Sequence, residues 1–110
     1  MKDQYLISIR LIERLHEISS VSSGQCWSLT SYCPVPGPVP ASPANRDYAP
    51  GFTTAMMLKD LKLAQGAAQA AGASTPLGAQ AYQLYSLFAA SGNEGLDFSA
   101  IIKMIEGNAA

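Results

Sequence analysis

Six of the seven prolines fall between Pro34 and Pro50, and that cluster limits the fold more than any other feature. Proline locks φ and lacks an N–H, so the run Cys33-Pro-Val-Pro-Gly-Pro-Val-Pro-Ala-Ser-Pro-Ala-Asn can be neither helix nor central strand. Loops of this length inside a small domain are usually functional or disordered. Disordered loops are rich in Ser, Lys and Glu and poor in aromatics. This one and its flanks carry Trp27, Tyr32, Val35, Val39 and Tyr48, which need a surface to pack on. The expectation is a long ordered loop draped over a neighbouring surface.

The rest of the chain reads as helix. Leu11, Leu15 and Ile18, with Ile12 beside them, recur at helical spacing, which predicts a helix from about Asp3 to Ile18. Serines and Gly24 break it. After Gly51, Thr53 or Thr54 can cap a second helix reaching Ala71, with Gly72 placed to end it. Its apolar face is predicted from Met57, Leu61, Ala64, Ala68 and Ala71. Thr75-Pro76 reads as a cap followed by proline at the first helical position, opening a third helix that stops at Gly92. Asp97 can cap a last short helix, ended by Gly107. The predicted class is all-α: a small antiparallel domain of about four helices, treated as one partial domain over residues 1–110. The predicted core is Leu61, Ala64, Ala68, Leu77, Leu84, Phe88, Ile101 and Ile105, with Leu15 and Ile18 beside it.

Composition narrows the function. With 48% hydrophobic and 14% charged residues the chain should fold, and such low charge suggests surface that something else covers. A net charge of −1 with no basic run argues against nucleic acid and anionic lipid. No apolar stretch reaches the length of a bilayer span, and the first residues do not resemble a secretory signal. The expectation is a soluble, cytoplasmic chain with no membrane partner. Cys26 and Cys33 have no metal-ligand spacing, and His16 is the single histidine, so no metal site is expected. No G-x-G-x-x-G is present, and a lone histidine gives little basis for a catalytic triad. Read from its residues alone, the chain is a helical domain with a long proline loop.

Four motifs carry a resemblance. Ser22-Ser-Gly-Gln-Cys26-Trp27-Ser28, Cys33-Pro-Val-Pro-Gly37, Gly51-Phe52 and Lys59-Asp60-Leu-Lys-Leu-Ala64 follow one another at the spacing of 3-hydroxyisobutyrate dehydrogenases. The K-D-L-x-L-A piece is shared widely among β-hydroxyacid dehydrogenases, whereas G-Q-C-W-S with P-V-P-G is narrower. The likeness continues through Thr75-Pro-Leu-Gly78 and Asp97-Phe-Ser99 and covers about residues 11–107. It implies an NAD-dependent oxidoreductase of valine degradation, taking 3-hydroxyisobutyrate to methylmalonate semialdehyde.

Family members are about three times as long, with a Rossmann domain, a helix bearing the catalytic lysine with asparagine four residues on, and a C-terminal helical domain. The resemblance places this chain in that last part. Lys2, Lys59, Lys62 and Lys103 are followed at +4 by Leu6, Leu63, Gly66 and Gly107, so the family lysine is absent and no catalytic residue is assigned. By the resemblance, Lys59 and Phe52 face the NAD cofactor, Asp60 is an orienting residue at the active site, and Trp27 and Tyr32 wall the substrate pocket. Read locally, Phe52 is a hydrophobic staple ahead of the helix cap, Trp27 a packing anchor and Lys59 a solvated lysine. Adjacent helical positions point about 100° apart, so Lys59 and Asp60 are not expected to pair.

Two functions follow. The first is the C-terminal part of the dehydrogenase, supplying a cofactor lid and one pocket wall, with an incomplete NAD site and no activity alone. The second is a non-enzymatic module that docks on full-length dehydrogenase subunits. Partners expected are a small 3-hydroxy acid in the parent enzyme, and either further copies of the chain or a separate Rossmann half.

Overall fold

The computed structural model describes residues 2–107, all of them in helices, turns and loops apart from one isolated antiparallel bridge between Thr53 and Asp97. The all-α expectation holds. The chain divides into two compact units, Met1–Asp47 and Tyr48–Ala110.

The first unit opens with α1, Lys2–Ser19. His16 is its half-buried tie: the ring Nε2 lies 2.8 Å from the carbonyl of Leu29, so that nitrogen donates. A four-residue α2, Trp27–Thr30, follows and lies outside the expected set of about four helices. Four residues are too few to show helical periodicity, which is why it is invisible in the pattern. The proline loop is ordered, as expected. The Asn45 side chain holds it from inside, with Oδ1 accepting from the Gly37 N–H at 2.9 Å and Nδ2 donating to the Val39 carbonyl at 2.8 Å. Gly37 stands at φ +113°, a region nearly closed to residues with a Cβ. Arg46 donates to the Ala41 carbonyl, and a 3₁₀ turn, Pro43–Arg46, closes the loop. Cys33, Ser42, Pro43 and Ala44 are buried.

The second unit is a helical hairpin with a tail. Helix α3, Thr54–Ala71, starts where the sequence predicts: the Thr53 hydroxyl accepts from the Met56 N–H, and Gly72 ends the helix at φ +66°. After a short turn, α4 spans Pro76–Phe88 and returns antiparallel. The end of α3 meets the start of α4 through Gln65 and Thr75, while Thr54 at the other end bonds Leu96. Thr75 precedes the proline at the first turn but does not cap with its side chain; its hydroxyl pairs with Gln65 instead. The facing residues of α3 are Leu58, Leu61, Gln65 and Ala68, spaced alternately three and four. Gly78 faces the Gln65 side chain, whose Nε2 lies 3.0 Å from where a Cβ would stand. A π-helical turn, Ala89–Asn93, extends α4, and a 3₁₀ turn, Phe98–Ala100, leads into α5, Ile101–Ile105.

The core differs from the expected list. Phe88 is buried at 2% exposure, and Leu61, Ala68 and Ile101 are half-buried. Leu77 at 80%, Leu84, Ala64, Ile105, Leu15 and Ile18 are exposed. The reason is the width of the buried strip: two helices and a short tail cover one narrow face each, so apolar residues one position off the seam face outward. Small and polar residues fill the centre instead, namely Thr54, Ala89, Asp97, Ser99 and Ala100, with the Tyr48 ring beside them. Every buried side-chain nitrogen and oxygen among the described residues has a hydrogen-bond partner.

Candidate functional site

The start of α3 is the most heavily braced point of the second unit. Asp97 is fully buried. Its Oδ1 accepts from the amides of Gly51, at 3.0 Å, and Phe52, at 3.1 Å. Its Oδ2 accepts from the Ser99 amide, at 3.0 Å, and from the Ser99 hydroxyl. A buried carboxylate is costly unless such donors surround it. Backbone bonds continue the seam: Asp97 N–H to Tyr48 O, Phe98 N–H to Phe52 O and Thr54 N–H to Leu96 O. Asp47 and Tyr48 adopt left-handed φ values of 53° and 58°, unfavourable for residues with a Cβ. Tyr48 is held there by the bond to its carbonyl and by Lys103 Nζ, 4.6 Å from its ring centre. Tyr85 donates its hydroxyl to the Phe98 carbonyl at 3.0 Å, and burial, with the Asp97 charge second, pushes its hydroxyl up to about 12.

Phe52 is half-buried ahead of the cap, its ring edge-on to Phe98 with centres 5.8 Å apart. Met56, Lys59, Asp60 and Leu63 follow on the exposed side of α3. Met56 and Leu63 each stand three or four positions from both Lys59 and Asp60, so the four share one broad exposed face. Lys59 and Asp60 do pair, with Nζ 3.4 Å from Oδ1, contrary to the expectation from their angular separation. The four-carbon stem of lysine is long enough to cross that angle.

Trp27 and Tyr32, in the first unit, stack at 5.0 Å with planes 19° apart. Trp27 remains 58% exposed, so it is no interior anchor. The structure thus joins Trp27 with Tyr32 and Lys59 with Asp60, and sets Phe52 against Phe98 ahead of α3. Cys26 is exposed and Cys33 buried, both as free thiols. Among the described residues, no three His, Cys, Asp or Glu side chains gather as a metal site, and no helix is long and apolar enough to cross a membrane.

Sequence reasoning found Asp97 as a cap and missed its reach to Gly51 and Phe52. No local signal marks a partner that distant. Tyr85 and Asn45 were also missed, since a tyrosine in an apolar helix and an asparagine in a loop are locally unremarked.

A helical hairpin, preceded in the sequence by an aromatic-bearing proline loop and carrying exposed Lys59 and Asp60 on its first helix, defines the class: a small all-α domain. The family described as "NAD-binding of NADP-dependent 3-hydroxyisobutyrate dehydrogenase" matches residues 11–105, and the chain belongs to it. It is 50% identical over 95 residues to a 3-hydroxyisobutyrate dehydrogenase of Pseudomonas aeruginosa, covering 84% of this chain and 32% of that protein. It is 47% identical over 92 residues to an NAD-dependent L-serine dehydrogenase of the same organism, covering 84% of this chain and 31% of that one. A solved structure of Mycobacterium tuberculosis 3-hydroxyisobutyrate dehydrogenase with L-serine superposes with a TM-score of 0.83 at 44% identity, over 94% of this chain and 36% of the other. The chain therefore spans about a third of the length of the curated relatives it matches.

Proposed function

We propose that this chain is the C-terminal helical part of an NAD-dependent dehydrogenase of small 3-hydroxy acids, contributing a cofactor lid and one wall of the substrate pocket. The observation that carries this is the family match over residues 11–105, together with Lys59 and Asp60 exposed on α3 and the half-buried Phe52 ahead of its cap. NAD, when bound, would supply a hydride acceptor for C3 of the hydroxy acid, whose alcohol would become an aldehyde as its hydroxyl proton passes to a base. Phe52 supplies an aromatic face for the nicotinamide, and Lys59 a mobile cation for an anionic cofactor. Releasing Lys59 from Asp60 costs little, because exposed ion pairs contribute about 0–1 kcal/mol. Asp60, so released, is free to orient polar groups at the active site. Trp27 and Tyr32 offer a flat apolar wall against the substrate. Both 3-hydroxyisobutyrate and L-serine, the compounds named in the relatives, carry a hydroxyl on the carbon β to a carboxylate. 3-Hydroxyisobutyrate is the proposed substrate, and valine degradation the proposed setting of the reaction.

No lysine here has an asparagine four residues on, so proton removal falls to residues elsewhere in the dehydrogenase. The chain alone is accordingly inactive. Co-expression with the P. aeruginosa enzyme lacking its matching segment tests the lid. Recovery of NAD-dependent oxidation of 3-hydroxyisobutyrate supports it. Failure to recover activity when the two pieces co-purify overturns it.

A second reading, a non-enzymatic module docking on intact dehydrogenase subunits, draws on the exposed apolar row Ile7, Leu11, Leu15 and Ile18 of α1. Tight binding to the intact relative without any gain of activity in the truncated one would favour it.

A further inference from the structure

Phe52 is held at three points by two successive residues. Its N–H donates to Asp97 Oδ1, its carbonyl accepts from the Phe98 N–H, and its ring meets the Phe98 ring edge-on. The ring nevertheless stays only half-buried. Packing alone does not require so complete a grip on a ring that keeps part of its surface open. A ligand-facing ring does, because fixing it beforehand removes the ordering cost at binding. Asp97 is the centre of that grip. A carboxylate needed only to cap the Phe98–Ala100 turn would be satisfied by Ser99; its other oxygen instead reaches back across 45 positions to the residues ahead of α3.

We propose that Asp97 is a positioning residue for the nucleotide-facing wall: through the amides of Gly51 and Phe52 it sets the direction of the Phe52 ring and of the first turns of α3, where Lys59 stands. This rests on the reading of Phe52 and Lys59 given above. Asparagine at this position keeps the shape and loses the function. Whichever way its amide turns, an NH₂ faces either the Gly51 and Phe52 amides or the Ser99 amide, donor against donor.

The test uses the ¹⁵N-labelled chain in complex with the P. aeruginosa enzyme lacking its matching segment, titrated with NAD. In the wild type the Phe52, Lys59 and Asp60 amides shift. In Asp97→Asn their apparent affinity falls roughly tenfold, the scale of one charge-assisted hydrogen bond. Thr54→Val serves as the structural control, since it removes the hydroxyl bond to Leu96 in the same seam and leaves Gly51 and Phe52 untouched. It lowers the melting temperature but leaves the NAD response unchanged. An Asp97→Asn response equal to the wild type overturns the positioning role and leaves the wall reading intact. A wild type whose Phe52 and Lys59 do not respond overturns the wall reading, and the proposal with it. Should Asp97→Asn not fold, amide exchange in the wild type decides: saturation with NAD slows exchange at Gly51 and Phe52, and unchanged rates overturn the proposal.

Discussion

The backbone nitrogen of Phe52 lies 3.1 Å from Asp97 Oδ1, 45 positions away in the chain. That bond makes the entry to α3 depend on the turn into α5, so the row carrying Lys59 is set from the far end of the unit. Local cap signals at Thr53 start the helix; the carboxylate decides where its first turn points.

Core substitutions separate the buried strip from the exposed one. Phe88→Ala should cost about 3–5 kcal/mol, the range for emptying a buried aromatic site. Leu77→Ala, at an exposed position, should change stability by no more than about 0.5 kcal/mol. Urea denaturation of both variants checks this, and a loss under about 1 kcal/mol for Phe88→Ala would place the ring at the periphery.

Alkaline pH should loosen the second unit through Tyr85. Its hydroxyl titrates near 12 when folded, above the ordinary value of 10.0. The raised folded value means that its stabilising contribution is complete below 10 and is lost as pH rises towards 12. Stability measured across that window should fall in the wild type and fall less in Tyr85→Phe. Tyrosinate absorbance should show a late-titrating component that disappears in Tyr85→Phe.

Asn45→Ala should release the proline loop. It removes bonds to the Gly37 amide and the Val39 carbonyl, with an expected loss of about 1–2 kcal/mol at roughly 1 kcal/mol per neutral hydrogen bond. Fluorescence of Trp27, the single tryptophan, follows the first unit directly. An emission profile and a denaturation midpoint identical to the wild type would show that the prolines hold the loop unaided.

The isolated chain should self-associate at micromolar concentration. Ile7, Leu11, Leu15 and Ile18 on α1 and Leu77, Leu84 and Leu87 on α4 are all exposed. Large exposed apolar patches are uncommon on soluble monomers. Light scattering over a dilution series should show a mass that rises with concentration and changes little with NAD. A compact monomer at every concentration contradicts this.

Local chemistry was enough to read much of this protein. Thr53 with Gly72, Pro76, and Asp97 with Gly107 mark helix ends because caps act over one turn, and α3 and α4 began where those residues said. The proline run excluded α-helix and strand for the same reason, though not the 3₁₀ turn Pro43–Arg46 at its end, and its aromatics indicated order. The motifs from Gly24 to Ala64 carried the family. Burial was not legible in the same way. In alanine- and leucine-rich helices several faces are equally apolar, so Ala64, Leu77 and Leu84 fitted an inward pattern as well as Leu58 and Tyr85 did. Which face turns inward depends on the neighbour it meets, and only the antiparallel hairpin selects it. The same holds for Asp97, whose partners at Gly51 and Phe52 come within hydrogen-bond range only after the chain has folded back on itself.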